Sequence, residues 1–284
     1  MRCHFYEQFI LNGLNPEAVH MIPMLEFCEI SLTLVDVARF HNDGFLTIDL
    51  VTNGSIDSLQ LEAERVWDAA HTEEYDSGAS WLSNALLVGV HEHSALFREV
   101  FYRAPLVDVM TQLIGPNIKL ASNQLTFKHS GDSNPYDWHQ DNGYGPLFPE
   151  TAISCWLALD EVNDLNGCLW IIPGSNKHGS IGHSAGKPRE RIATVEDEGS
   201  AIPIPLRAGQ CVIFHGFTLH MSKGNSTGRM RRAVFFRYAD ADAIDLEGRP
   251  RVGKLLRGIS KFTEVNECSE LVCNQKSASR SPIK

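Results

Sequence analysis

The pattern of hydrophobic and polar positions divides the chain into a helical first part and a strand-rich second part. Residues 55–69 carry apolar side chains at helical spacing with charges between them, and residues 95–113 repeat that spacing. Apolar residues three to four positions apart form one face of a helix, so both segments predict surface helices. A shorter amphipathic helix is predicted over residues 35–40. It leads through an Asp-Gly turn into a strand over residues 45–48.

From about residue 116 the pattern changes to short β-rich runs separated by Gly, Pro, Asn and Asp. Asn166-Gly167 and Pro173-Gly174-Ser175 are typical of tight turns. The predicted strands are residues 117–120, 124–128, 153–158, 167–172, 210–214 and 231–238. Many short strands without regular intervening helices favour an antiparallel sandwich or barrel, with helices of the N-terminal third packed on it.

The same pattern suggests one domain with two extensions. We predict a single domain over residues 33–262, with its β core at about 116–240. Residues 1–32 form an N-terminal extension of unclear role. Residues 263–284 form a polar C-terminal tail, because they lack apolar periodicity.

Composition and charge narrow the classes of function. The 284 residues include 25 Lys and Arg against 35 Asp and Glu, a formal net charge of −10. This acidic excess argues against neutralising the phosphates of nucleic acid. No apolar run approaches the ~18 residues of a membrane span. We find no secretory or peroxisomal signal pattern, so we expect a cytoplasmic protein without nucleic-acid or membrane partners. The oligomeric state is unknown.

The cysteine pattern is that of a reduced protein. The seven cysteines form no Cys-x-x-Cys pair, and their number is odd. Cys155, Cys168 and Cys211 lie in strand-like apolar runs, where a thiol acts as a small hydrophobic group. We therefore expect neither a disulfide framework nor a zinc cluster.

Two His-x-Asp triplets occur, at residues 41–43 and 139–141. The first lies at a predicted helix end before the Asp-Gly turn, whereas the second follows an aromatic residue in an extended context. In an extended segment residues i and i+2 point to the same side, so His139 and Asp141 can both face a barrel interior. That arrangement suits metal chelation.

A second imidazole from a distant strand would complete the two-His-one-carboxylate triad of non-haem Fe(II) oxygenases, which leaves coordination positions open. The candidates are His178, His183, His215 and His220. The first two lie in a Gly- and Ser-containing loop, whereas His215 and His220 follow the apolar strand 211–214. His215 is the main competitor of His220, because it lies closer to the strand end.

Several motifs in this order resemble the phytanoyl-CoA dioxygenase family. They are Trp138-His139-Gln140-Asp141, the segment Asn-Gly-Cys-Leu-Trp-Ile-Ile-Pro-Gly-Ser at 166–175, and His220 followed eleven residues later by Arg231. The family comprises Fe(II)- and 2-oxoglutarate-dependent oxygenases. The resemblance covers roughly residues 35–238. It implies a mainly β protein with flanking helices and a double-stranded β-helix core, also called a jelly-roll or cupin-like core.

The resemblance also implies roles for individual residues. His139, Asp141 and His220 would hold iron, and Arg231 would bind the distal carboxylate of 2-oxoglutarate. A planar guanidinium suits this task, because it grips a carboxylate with two parallel hydrogen bonds. Arg232 competes with Arg231. Neighbouring side chains of a strand point in opposite directions, so only one of the two can face the pocket.

Further contacts are expected around the same pocket. The resemblance implies cosubstrate contacts from Ser222, Trp156, Thr126 and Lys128, although Trp156 would be a core aromatic residue in either case. We expect substrate contacts from Gln124, Trp138 and Tyr144.

Two other polar clusters have alternative interpretations. The basic residues at 177–191 could attract an anionic substrate, although a solvated loop also explains them. His91-Glu92-His93 looks like a metal-binding motif, but we expect it to be an ordinary surface or core feature.

The implied function is a mononuclear Fe(II) dioxygenase that uses 2-oxoglutarate and O2. It would hydroxylate a small molecule, such as a lipid, an amino-acid derivative or a secondary metabolite, and release succinate and CO2. In related halogenases a small residue replaces the carboxylate ligand, so Asp141 favours oxygen transfer. The alternative is a jelly-roll sensor that binds metal or 2-oxoglutarate without turnover, which an intact triad with Arg231 disfavours.

Overall fold

The computed structural model describes residues 24–70, 86–103, 105–131, 135–143, 145–181, 195, 197–246, 248 and 253–262. The helices are α1 (Leu34–Asp43), α2 (Asn53–Ala70), α3 (Val90–His93), α4 (Ala95–Tyr102) and α5 (Leu106–Ile114). The strands are β1 (Phe45–Asp49), β2 (Leu86–Val88), β3 (Ile118–Lys128), β4 (Tyr136–His139), β5 (Ile153–Ala158), β6 (Leu169–Ile171), β7 (Ile202–Ile204), β8 (Gln210–His215), β9 (His220–Ser222), β10 (Arg231–Asp240) and β11 (Lys254–Arg257).

These strands form two sheets. The larger sheet has the order β1-β8-β5-β10-β3-β11, with β2 also paired to β3, and the smaller has the order β4-β9-β6-β7. All of these strand pairs are antiparallel. Apolar side chains of both sheets share one buried cluster, so the sheets pack against each other. The predicted mainly β protein with flanking helices and a jelly-roll core is confirmed.

Side-chain alternation gives the larger sheet two different faces. On β5, Cys155 and Leu157 belong to the main hydrophobic core, which includes side chains of α2, α4 and α5. Trp156 and Ala158 belong to the cluster between the sheets. Successive residues of a strand point to opposite faces, so the helices cover one face of this sheet and the smaller sheet covers the other.

Two of the predicted divisions between elements differ from the structure. The predicted strands 117–120 and 124–128 are one strand, β3, because the polar residues between them also pair with β10. The predicted helix 95–113 is two helices. Arg103 is extended and ends α4, and Pro105, which lacks the N–H that a continuous helix would use, precedes α5.

The domain boundaries stay predictions. Leu25, within the predicted extension 1–32, is buried in the main core, and Cys28 N–H donates to Leu50 O at 3.0 Å. The predicted tail 263–284 lies outside the described residues. Cys28, Cys155, Cys168 and Cys211 are free thiols. In the described part of the chain, none of the helices combines the length and apolar character that a bilayer crossing requires.

Two leucines of α2 provide a matched test of this packing. Leu59 is 0% exposed, whereas Leu61 is 67% exposed. We expect Leu59→Ala to lower the free energy of unfolding by about 2–5 kcal/mol, because it leaves a cavity in the main core. Leu61→Ala should change it by less than about 0.5 kcal/mol. Urea denaturation of both variants measures the difference, and equal losses would contradict this packing of α2.

Candidate active site

Two imidazoles and a carboxylate meet at one end of the space between the sheets. His139 ends β4, His220 begins β9, and the antiparallel register places the two opposite each other. Asp141 opens the short 3-10 turn that follows β4. Its Oδ1 lies 3.7 Å from His139 Nε2 and 3.6 Å from His220 Nε2. Within the part of the chain that the structure describes, no other three His, Cys, Asp or Glu side chains gather in this way.

The hydrogen bonds of the imidazoles determine their tautomers. His139 Nδ1 lies 2.6 Å from Asp137 O, and His220 Nδ1 lies 3.0 Å from Thr218 O. A carbonyl oxygen only accepts, so each Nδ1 carries the proton and donates it. In the neutral form of each ring, Nε2 then keeps a lone pair on the side of Asp141. Two neutral imidazoles and one carboxylate are a donor set suited to Fe(II), and the residues present therefore fit this metal.

The end of α1 supports His220 through Thr218. The Thr218 hydroxyl donates to Gly44 O at 2.7 Å, while Thr218 O accepts from His220. Gly44 has a φ of 83°, and a Cβ there would lie 2.7 Å from Thr218 Oγ1. Both observations require glycine at this position. The Asp-Gly turn thus connects the first helix to the metal-binding edge.

Asp141 is held in its ionised form. Burial raises the pKa of Asp141, but the positive charges that His220 and His139 carry when protonated, the Ser154 hydroxyl and the Arg237 guanidinium together lower it by more, so the net shift is downward. Ser154 Oγ donates to Asp141 Oδ2 at 2.5 Å. A carboxylate is therefore available as a ligand at neutral pH.

A cleft with about 530 Å³ of empty space adjoins the triad. Its other polar side chains are Gln124, Thr126, Ser222 and Arg231, and its larger aromatic side chains include Trp156. Apolar walls combined with a few polar groups are typical of small-molecule sites.

Arg231 brings a buried positive charge into this cleft. The side chain is 2% exposed, its Nη1 donates to Thr126 Oγ1 at 3.1 Å, and its Cζ lies 5.2 Å from the centre of the Trp156 ring. Thr126 in turn donates to Ala233 O at 3.2 Å. The guanidinium therefore has a defined orientation, and together with the hydroxyl groups of the cleft it suits a carboxylate ligand.

Of the other residues predicted to contact the cosubstrate or substrate, some line the cleft and some do not. Gln124, Ser222 and Trp156 line the cleft, but Lys128 is not among the lining side chains. The buried Lys128 ammonium donates to Lys223 O and lies 5.1 Å from the centre of the Tyr136 ring. Their roles stay predictions.

Trp138 and Tyr144 were predicted as substrate contacts. Trp138 packs with Ile172 and Leu219 in a separate cluster and donates its indole N–H to Glu198 at 2.9 Å. Its side chain does not line the cleft. Tyr144 lies outside the described residues, so the structure does not bear on its role.

His215 and Arg232, the alternatives to His220 and Arg231, bond to groups outside the site. His215 Nδ1 accepts from the Phe217 N–H at 3.1 Å, and burial lowers the pKa of His215. Arg232 contacts both oxygens of Asp160, at 3.0 and 2.7 Å, and Glu64 at 2.7 Å. The strand alternation accordingly places only Arg231 in the cleft.

The two remaining polar clusters are residues 91–93 and the basic residues at 177–191. Their described residues do not line the cleft. His91 Nδ1 lies 2.7 Å from Asn123 Nδ2, a pairing within the protein. Lys177 donates to Asn42 at 2.6 Å, and His178 belongs to the short 3-10 turn that begins at Ser175. The rest of the basic loop, including His183, lies at 182–194, outside the described residues.

Sequence reasoning missed several cleft residues. Leu86, Tyr136, Leu169, Phe214, Met221 and Phe235 line the cleft. Ser154, which donates to Asp141 but does not line the cleft, was also missed, although it lies two residues before Trp156 and therefore on the same face of β5. Strand alternation would have identified Ser154. No comparable signal marks Tyr136 or Met221, which lie on strands of three to four residues.

A family model described as phytanoyl-CoA dioxygenase (PhyH) matches residues 40–233, a stretch that includes the triad and Arg231. The chain belongs to the phytanoyl-CoA dioxygenase family. This agrees with the resemblance that the sequence motifs carry, and it accounts for the jelly-roll topology.

Individual members of the family show more limited similarity. Phytanoyl-CoA dioxygenase 1 of Oryza sativa subsp. japonica is 27% identical over 163 residues, which cover 55% of this chain and 57% of the relative. The chain thus spans only a little over half the length of that relative. A probable alpha-ketoglutarate-dependent hypophosphite dioxygenase of Stutzerimonas stutzeri is 29% identical over 236 residues, 78% of this chain and 82% of the relative.

Solved structures share the fold. The apo form of the non-heme monooxygenase ThoJ superimposes with a TM-score of 0.67 at 25% identity and covers 78% of this chain and 84% of that chain.

The triad predicts a specific pattern of metal loss. We expect His139→Ala, Asp141→Ala and His220→Ala each to abolish Fe(II) binding while leaving the fold nearly intact, because these side chains lie around an open site. Anaerobic calorimetric titration with Fe(II) measures binding, and circular dichroism checks the fold. His215→Ala is the matched control and should retain Fe(II). Loss of Fe(II) in His215→Ala together with retention in His220→Ala would show that His215, and not His220, is the third ligand.

Proposed function

We propose that the chain is a mononuclear Fe(II)- and 2-oxoglutarate-dependent dioxygenase that hydroxylates a small molecule with release of succinate and CO2. The domain over residues 33–262 would carry this activity. The observation that supports it most is the combination of two groups in one cleft. A two-His-one-carboxylate donor set and the buried Arg231 both line it.

The triad, through its metal, and Arg231 would bind the two ends of 2-oxoglutarate. A buried dianion needs a counter-charge, and the Arg231 guanidinium supplies one that can form two parallel hydrogen bonds with a carboxylate. Ser222, also in the cleft, would add a hydroxyl donor. Membership of the family and the name of the Stutzerimonas relative support the same cosubstrate.

The triad would hold Fe(II) through His139 Nε2, Asp141 Oδ1 and His220 Nε2. Bound iron with 2-oxoglutarate would supply dioxygen activation, in which the cosubstrate is oxidised to succinate and CO2 and one oxygen atom goes to the substrate. The protein's own groups would bind and orient the reactants. The apolar walls of the cleft would exclude water.

The substrate would enter beside mainly apolar side chains. Leu86 and Phe235 line the cleft, and Gln124 offers one amide there. A small molecule with an apolar body, such as a lipid, an amino-acid derivative or a secondary metabolite, suits these walls. Loops around a shared core set such specificity. The cytoplasmic location expected from the sequence stays a prediction.

Turnover of 2-oxoglutarate without substrate tests the proposed function. We expect the Fe(II)-loaded protein in air to form succinate slowly from 2-oxoglutarate, since such oxygenases leak some uncoupled turnover. The His139→Ala variant should form none. Chromatographic measurement of succinate gives the rate. Binding of 2-oxoglutarate with no succinate would instead support the non-catalytic sensor. Screening candidate compounds for accelerated succinate release would then identify the substrate class.

Arg231 and Arg232 form a matched pair for testing cosubstrate recognition. Arg231→Lys keeps the charge but loses the planar fork, and a charged hydrogen bond is worth roughly 1.5–3 kcal/mol. Because ~1.4 kcal/mol corresponds to a tenfold change in a binding constant, the affinity for 2-oxoglutarate should fall about ten- to hundredfold. Iron affinity should stay nearly unchanged.

Arg232→Lys should have far less effect, because Arg232 pairs with Asp160 and Glu64 on the other face of β10. Titration of 2-oxoglutarate into the iron-loaded variants makes the comparison. Equal losses in the two variants, or a loss confined to Arg232→Lys, would overturn the role of Arg231.

A further inference from the structure

We propose that Ser154 and Arg237 are positioning residues that hold Asp141 as a one-oxygen metal ligand. The proposal rests on the metal site of the proposed function and adds two residues that do not line the cleft. It concerns how the carboxylate is presented, since an Asp side chain can bind a cation through one oxygen or through both.

The two oxygens of Asp141 have different partners. Oδ1 lies 3.7 Å from His139 Nε2 and 3.6 Å from His220 Nε2. Oδ2 accepts the Ser154 hydroxyl at 2.5 Å. Ser154 is 0% exposed and its backbone is fixed between β10 and β8. The carboxylate therefore presents Oδ1 to the metal site while the sheet holds Oδ2.

Arg237 fixes the turn that carries Asp141. The register pairs Arg237 with Ser154 across β10 and β5. Arg237 is 4% exposed, and its Nη1 donates to Gly145 O at 3.2 Å while its Nη2 donates to the side-chain oxygen of Asn142. One planar guanidinium thus joins two points of the segment that follows Asp141. A Lys side chain has a single nitrogen and cannot reproduce this fork.

Asn142, the next residue of that turn, also forms hydrogen bonds with neighbouring segments. The Asn142 N–H donates to Gly216 O at 2.9 Å, and the Asn142 side-chain oxygen accepts the Leu147 N–H at 3.2 Å. Asn142 is 3% exposed. The backbone beside Asp141 is consequently fixed from one side by residue 216 and from the other by Arg237.

This arrangement has a consequence for coordination. With Oδ2 held by Ser154, Asp141 would offer a bound metal ion one oxygen and each imidazole would offer one nitrogen, which would leave further positions of the ion open. Without the hydroxyl, the carboxylate can rotate and offer Oδ2 as well. The groups that orient metal ligands typically change metal affinity or activity by about 10–100-fold when they are removed.

The test uses Co(II) as the probe, because its visible absorption depends on coordination number and ligand geometry. Ser154→Ala and Arg237→Lys are compared with two controls in the full chain. Ser55→Ala removes another buried serine, one that accepts from Glu26 N–H at 2.7 Å. Arg232→Lys changes the arginine on the opposite face of β10.

We expect Ser154→Ala and Arg237→Lys to lower Co(II) affinity about ten- to hundredfold and to alter the Co(II) absorption spectrum. The two controls should match wild type in both measurements. Thermal unfolding of the metal-free proteins separates general destabilisation from the ligand effect. If Arg237→Lys does not fold, Ser154→Ala alone decides.

Three outcomes would overturn the proposal. Ser154→Ala could match wild type in Co(II) affinity and spectrum although Asp141→Ala binds none, which would reject the positioning role while leaving the proposed function intact. Wild-type protein that binds no Co(II) would reject both. Equal losses in Ser55→Ala would show a structural effect alone and would also reject it.

Discussion

The alternation of side chains along the strands of the larger sheet is the constraint on which the site depends. On β10, Val234 and Phe236 face the core under the helices, whereas Arg231 lines the cleft between the sheets. A shift of the β10 pairing by one residue would turn Arg231 into the apolar core and turn Val234 and Phe236 toward the cleft. The register is therefore fixed by burial on the helix side, and the chemistry on the other side follows from it.

This division also explains how the protein tolerates buried charge. Ions removed from water cost several kcal/mol unless partners compensate them. Arg231 donates to Thr126, and Arg237 donates to the side-chain oxygen of Asn142 and to Gly145 O. The main core on the opposite face carries aliphatic and aromatic side chains from both the helices and the strands. Its burial offsets the unfavourable desolvation in the site.

The sequence predicted the parts of the fold that have long or regular patterns. The strand at 153–158 was predicted with its observed bounds. The alternation predicted that only one of Arg231 and Arg232 faces the cleft, and the family resemblance selected Arg231. The structure also contains five short strands, of three or four residues, that were missed because so few positions show no period: β2, β4, β7, β9 and β11. The position of Trp138 depends on tertiary packing with Ile172 and Leu219, which a local pattern does not contain.

The ligands and their supports come from different sheets. His139 and His220 lie on the paired strands of the smaller sheet, whereas Ser154 and Arg237 lie on the paired strands of the larger one. Asp141 lies in the turn between β4 and β5, where its two oxygens meet the imidazoles of one sheet and the hydroxyl of the other. The geometry of the triad consequently depends on how the two sheets pack. A change in that packing alters the metal site even where every ligand is retained, while the loops at the rim can vary without moving it.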